Sequence, residues 1–295
     1  MKSSNEKGAI LVTGTSSGMG RACALRLDRA GYTVFAAVRK ETDAQALKTQ
    51  GSERLKPVIL DVTDLESITS ACREISKQLD ETGLKLVGLV NNAGIGVTAP
   101  VECVPLDELR KQYEVNVIGQ VAVIQAFLPL IRAGKGRIIN VGSVGGKITL
   151  PFGGPLCSSK YALESLNDAL RMELRPWKIP VVLVAPGSIK TPATKKLETD
   201  SEEMLKRFSP DAVKLYGNAY RSFVKAFHKR EERGVGPEVM AETVFKVLNA
   251  HRPRNRYPVG PLSRLLPLMA KWLPTGLFDK LRVRLFGIAK ERAVI

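Results

Sequence analysis

Short apolar runs alternate with stretches of helical periodicity along most of this 295-residue chain. Ala9, Ile10, Leu11 and Val12 form an unbroken apolar run, as expected of a strand buried on both faces. The run ends in a turn punctuated by Gly14, Gly18 and Gly20. A helical pattern then opens at Arg21, continues through Ala22, Leu25 and Leu27, and stops at Ala30-Gly31. A second strand spans Thr33 to Val38, a polar helical segment Thr42 to Gln50, and a third strand Pro57 to Leu60, ended by Asp61. Ile68, Ala71, Ile75 and Leu79 place one buried face on a helix from Leu65 to Leu79, for which Asp64 is a better N-cap than Asp61. The fourth strand, Leu86 to Val90, runs into Asn91-Asn92-Ala93-Gly94. A helix starts near Leu106. The charge-free stretch Val115 to Ile131 falls short of a bilayer crossing and carries Asn116, Gln120 and Gln125, so it reads as a buried helix. Further strands span Gly136 to Val141 and Val181 to Ala185, separated by a helix from Cys157 to Leu174. This alternation predicts an α/β fold with a doubly wound parallel sheet and a ligand site at the carboxyl ends of the strands.

Beyond Pro192 the composition turns charged and aromatic, with Met204, Phe208, Tyr216, Tyr220, Phe223 and Phe227 at helical spacings that more often mean core packing than ligand contact. A helix from Glu238 to Leu248 and a last strand, Arg256 to Val259, follow. The chain divides into one domain over 1–260 and a basic amphipathic extension over 261–295. In that extension Leu277, Leu281, Leu285 and Ile288 line one helix face, with Lys280 and Arg284 on its flank. The face suits an anionic membrane surface, a cap on the 192–236 region or a second subunit. Half of the net charge of +16 lies in the last 45 residues: from His251 to Ile295, ten Lys and Arg stand against Asp279 and Glu291. Nucleic acid is not expected as the partner, since stacking aromatics and a recognisable module are missing. The scattered Cys23, Cys72, Cys103 and Cys157 read as reduced residues of a cytoplasmic protein, peripherally membrane-associated if the tail docks. With His228 and His251 as its only histidines, the chain offers no histidine-rich metal site and no His-based triad.

The glycine turn is the first candidate for chemistry. A strand that stops at glycines and opens a helix presents backbone amides and a helix dipole to a pyrophosphate. The residue closing the second strand tests the cofactor, because an acid there binds a ribose 2′-hydroxyl. Arg39 and Lys40 follow the strand instead, and a guanidinium suits a 2′-phosphate, so NADP(H) is favoured over NAD(H). Asp61 is placed either to accept from an adenine amino group or to cap the next helix.

Taken together, Thr13-Gly14-x-x-x-Gly18-x-Gly20, Asp61, Asn91-Asn92-Ala93-Gly94, Asn116, Ser143, Lys160 and Pro186-Gly187 resemble the short-chain dehydrogenase/reductase family. The match in order and spacing covers roughly residues 8 to 192, with a flavour similar to 17β-hydroxysteroid and retinol dehydrogenases. The resemblance implies a Rossmann-type fold, a helical substrate lid over 192–236, and a homo-oligomer, dimer or tetramer. The apolar helix around Val117 to Leu130 resembles the family's dimer-forming element, although burial inside one subunit would give the same pattern. It implies a cofactor cradle of Gly14, Ser16, Ser17, Gly18, Met19, Gly20, Arg39, Asp61, Val62, Asn92, Ala93, Gly94, Lys160, Pro186, Gly187, Ile189 and Thr191. It further implies interconversion of a lipophilic alcohol and its ketone or aldehyde, such as a steroid or retinoid, in a pocket near Val97, Leu150 and Phe152. In the family a Tyr four residues before the Lys passes the proton, the Ser steadies the substrate oxygen, and the Asn anchors a water relay. Four residues before Lys160 stands Leu156, which has no proton to give. Tyr161 cannot replace it, projecting about 140° around the helix. One reading is a family member inactivated at the proton donor by deliberate substitution. The other is a natural variant that uses water or has abandoned redox chemistry for a regulatory, dinucleotide-binding role. The otherwise intact motif favours the first.

Overall fold

A computed structural model describes residues 7–288, without the side chains of 193–198. Seven strands, β1 (Ala9–Val12), β2 (Thr33–Val38), β3 (Leu55–Ile59), β4 (Leu86–Asn91), β5 (Arg137–Val141), β6 (Val181–Pro186) and β7 (Arg256–Val259), form one sheet in the order β3-β2-β1-β4-β5-β6-β7. Every pairing is parallel, and Val12 at the end of β1 pairs with Ala36 on one side and Val90 on the other.

The apolar run of β1 has no polar face because both sides of the sheet are covered. Ile10 and Val12 point into one core, where α1 (Gly18–Arg29) packs against α9 (Pro237–Asn249) through Ala24, Leu27, Met240 and Val244. Ala9 and Leu11 point into the other, under α3 (Leu65–Thr82) and α5 (Gly119–Ala133), with Ile75, Val123 and Phe127 fully buried. The carboxyl ends of β1 and β4 therefore diverge at the point where the strand order reverses, the place where ligands bind in open α/β sheets.

Local signals set the ends of these elements. Asp64 caps α3 by accepting from the amides of Glu66 and Ser67, and Gly83, in the left-handed region, ends it. The segment Leu106–Ala133 is the one helical stretch among the described residues long and apolar enough to cross a membrane, yet half of its most apolar window is buried in the fold. It comprises α4 (Leu106–Tyr113), a π-turn over Glu114–Ile118, and α5. The remaining helices are α2 (Glu41–Lys48), α6 (Gly154–Glu173), α7 (Pro192–Lys206), α8 (Pro210–Glu232), α10 (Leu265–Trp272) and α11 (Thr275–Leu285). α7 and α8 form a helical hairpin after β6, and the two tail helices pack on each other and on the segment after β5 around Ile148.

The tail departs from its expected face. Of that face Leu281 and Ile288 pack partly buried while Leu277 and Leu285 are exposed, and full burial falls to Phe278, against Ile148 and Leu266, and to Phe286, among the aromatics of α8. Pro274 starts α11 in a register that turns Phe278 inward and leaves Leu277 outside.

Candidate active site

The turn between β1 and α1 depends on its glycines for two different reasons. Gly14 and Gly18 take positive φ, +68° and +55°, which costs a residue with a side chain about 1–2 kcal/mol. Gly20 is dictated by space: a Cβ there would lie 2.1 Å from the Gly14 carbonyl oxygen and 2.4 Å from Asn92 Nδ2. Ser17 precedes α1 in extended backbone and makes no side-chain cap, so no side chain satisfies the first amides of the helix.

Asn91-Asn92-Ala93-Gly94 splints this turn to β4. Thr13 Oγ1 accepts from the amides of Asn92 and Ala93, both at 3.0 Å. Asn92 Nδ2 donates to the carbonyls of Thr13 (2.9 Å) and Gly14 (3.1 Å), while its Oδ1 is buried without a partner among the described residues. A crevice runs along the turn and is walled from several strand ends. Ser16, Ser17, Gly18 and Met19 form its floor, and Arg39, Lys40 and Asp43 follow β2. Asp61 and Val62 follow β3, Ala93 and Gly94 follow β4, and Thr191 closes it from above Gly18. A glycine cradle, bare helix amides, an orphaned amide oxygen and two cations at the β2 end fit a dinucleotide. Asp61 Oδ1 is already engaged, accepting from the amide (2.9 Å) and hydroxyl (2.7 Å) of Thr63.

A second group gathers beyond β5 and on α6. Ser143 Oγ accepts from the Gly145 amide at 3.0 Å. Lys160 Nζ donates to the Val141 carbonyl at 3.0 Å, and burial pushes the ammonium down to about 8. Asn116 sits in the π-turn, where a helix widens to present a side chain. Its Oδ1 accepts from the Ile95 amide, and its Nδ2 donates to the Ile95 carbonyl, both at 2.9 Å. Gly94 joins the two residues: a Cβ there would lie 3.2 Å from Asn116 Oδ1 and 3.8 Å from Lys160 Nζ. Leu156 lies in the first turn of α6, its Cδ2 3.8 Å from where a Gly96 Cβ would be. Tyr161 lies apart, half-exposed in a surface groove with Val101 and Val104.

Pro186, Gly187 and Ile189 do not wall the crevice. The Gly187 amide donates to Val259 at 2.8 Å, and Ile189 bridges to Val235. The Ile189 amide also reaches Glu231 Oε2 at 3.4 Å, and burial pushes that carboxyl up to about 6.

Glu231 and Gln112 were not foreseen from the sequence. Gln112 is fully buried: its Oε1 accepts from the Val97 amide at 2.6 Å, and its Nε2 donates to the Ile95 carbonyl at 2.9 Å and to Ser159 Oγ at 3.2 Å. Ser159 Oγ in turn donates to the Leu156 carbonyl at 2.7 Å. The loop over the site is thus laced to the start of α6. The signal was available, since Gln112 stands one helical turn before Asn116 on the same face.

The lid aromatics pack chiefly on one another. Tyr220 and Phe223 are buried, with ring centroids 5.7 and 5.6 Å from that of Phe152. The Tyr220 hydroxyl donates to the Thr98 carbonyl at 2.7 Å. Phe152, at φ +57°, holds a left-handed conformation that is strained for an aromatic residue.

Residues 8–202 match the family described as short chain dehydrogenase. Retinol dehydrogenase 16 of Mus musculus is 36% identical over 277 residues, covering 92% of this chain and 86% of the relative. The NADPH-dependent 3-dehydrocapnine reductase of Ornithobacterium rhinotracheale is 34% identical over 276 residues, covering 92% and 94%. A short-chain dehydrogenase from Streptomyces avermitilis shares the fold with a TM-score of 0.71 at 27% identity, over 96% of each chain. With the crevice, the parallel sheet and these likenesses together, the chain belongs to the short-chain dehydrogenase/reductase family, oxidoreductases whose fold binds a nicotinamide dinucleotide.

Proposed function

We propose that the chain binds NADP(H) in the β1–α1 crevice and is built to interconvert a lipophilic alcohol and its carbonyl compound, with the proton-transfer step impaired. The observation that carries this reading is the continuous crevice from Arg39 to Gly94, ending beside Asn116 and Lys160. Arg39 and Lys40 favour a 2′-phosphate over a bare ribose. The names of the two curated relatives above, a retinol dehydrogenase and an NADPH-dependent reductase, support the substrate class and the cofactor. The apolar cluster that Leu150 and Phe152 form with α8 supports a substrate with little polarity.

When bound, the dinucleotide supplies or accepts a hydride. The Lys160 ammonium holds the nicotinamide ribose, the Ser143 hydroxyl donates to the substrate oxygen, and Asn116 helps hold a water near Lys160. Leu156 stands at the family's tyrosine position and offers no proton. A positioned acid is worth about 10²–10⁴-fold in rate.

Leu156→Tyr tests the reading. NADPH oxidation against a panel of apolar ketones and aldehydes is expected to rise by about 10²-fold or more, with NADPH bound more tightly than NADH before and after the substitution. A second reading, a dinucleotide-binding regulatory module without turnover, is favoured by Leu156 itself. It prevails if the tyrosine variant still binds NADPH but reduces nothing.

A further inference from the structure

The outer face of the tail is an amphipathic stripe that the fold leaves bare. α10 turns Leu266, Met269 and Ala270 inward against Ile148 and Phe278. Opposite them, Leu265 (52% exposed), Leu268 (54%) and Trp272 (74%) stand at i, i+3 and i+7 and share one outward line. Leu277, 55% exposed, continues the apolar series just past the turn at Pro274. Arg264 and Lys271 flank the line on α10, and Lys280 and Arg284 are exposed on α11. Lys271 Nζ lies 5.2 Å from the centre of the Trp272 ring, the pairing of an amphipathic ring with a long basic stem that suits a headgroup layer. Asp279 is the only acid in the sequence between residues 261 and 288, and Arg282 takes it. The stripe is therefore apolar at its centre and cationic around it.

We propose that this face docks on an anionic lipid surface, with Leu265, Leu268 and Trp272 entering the headgroup boundary and Arg264, Lys271, Lys280 and Arg284 meeting lipid phosphates. Charge selects this occupant over a second copy of the chain, because a pair of these faces would set eight cations against each other. Apolar burial and basic attraction add on such a surface. The docking element is also bonded to the site: Arg282, on the inward side of α11, donates to the Thr149 carbonyl in the loop that carries Leu150 and Phe152. On the reading proposed above, that places the substrate entrance beside the lipid.

The test needs no turnover and so stands apart from the catalytic reading. In a full-length Trp177→Phe chain, Trp272 is the only tryptophan. Vesicles of phosphatidylcholine with phosphatidylserine are expected to shift its emission to the blue, and lipids brominated in their upper acyl chains to quench it. Pure phosphatidylcholine vesicles should bind far more weakly. The pair Arg264→Glu and Lys271→Glu is expected to weaken binding at least about tenfold, with the thermal midpoint unchanged because both residues are exposed. Leu265→Ser with Leu268→Ser should abolish it, and if that variant fails to fold the charge pair still decides. No vesicle binding, binding without quenching of Trp272, or substitutions that instead dissociate a dimer would each overturn the proposal.

Discussion

Lys160 is a cation that the fold works to discharge. Burial pushes it down to about 8 from an ordinary value of 10.5, so in the folded chain the ammonium is complete only below about pH 8. The unfolded chain keeps its proton up to about pH 10.5, and the cost of burying the charge is therefore fully present below pH 8 and disappears above pH 10.5. Binding is expected to follow the opposite sense, because on the function proposed the charged form is the one that would hold ribose hydroxyls. NADPH affinity is expected to be highest well below pH 8 and to weaken as the pH rises through about 8, a trend that Lys160→Met removes; calorimetric titration on both sides of that value checks both. Leu156 adds to this at the same scale. A tyrosine there would share the lysine's field and titrate with it, whereas with leucine the Lys160 ammonium donates to the backbone carbonyl of Val141.

At the scale of elements, the lid is a hydrophobic unit of its own. Phe223 on α8 packs on Phe152, Phe227 and Phe286, with ring centroids 5.6, 5.8 and 5.3 Å away, so it joins the loop after β5, the lid and the tail. Phe223→Ala should destabilise the chain by about 3–5 kcal/mol, with amide exchange rising most in α8 and least in β1 and β4. Equilibrium denaturation and hydrogen exchange measure the two effects. The lid helices were legible as helices from their periodicity, but their aromatics could not be divided between core and pocket. That division depends on Phe152, whose backbone conformation turns its ring into α8 and which no local pattern announces. The π-turn at Glu114–Ile118 is a similar case: Val115 to Ile131 is legible as a buried helix, while the widened turn that presents Asn116 is a product of packing, with a Cβ on Gly119 lying 2.5 Å from the Val62 carbonyl oxygen.

For the whole molecule, a net charge of +16 sets a positive field around a crevice meant for a polyanion. Dinucleotide association should slow as salt rises, more steeply for NADPH than for NADH because of its extra phosphate, and stopped-flow measurement from low salt to 0.5 M is the check. The same charge is what gives the tail its lipid preference. The strands and their parallel stacking followed from sequence alone, since short apolar runs such as Ala9 to Val12 alternate with helical periodicity, the pattern of a sheet covered on both faces. The glycine turn, the Arg39 and Lys40 pair and the leucine four residues before Lys160 were equally local, being matters of residue type at fixed spacing. Tertiary structure decided what spacing cannot encode: that Gln112 and Ser159 lace the loop to α6, that Glu231 meets the Ile189 amide, and that Phe278 rather than Leu277 faces inward. Each of these is a contact between segments distant in the chain, and its partner is chosen only when the sheet has brought the two surfaces together.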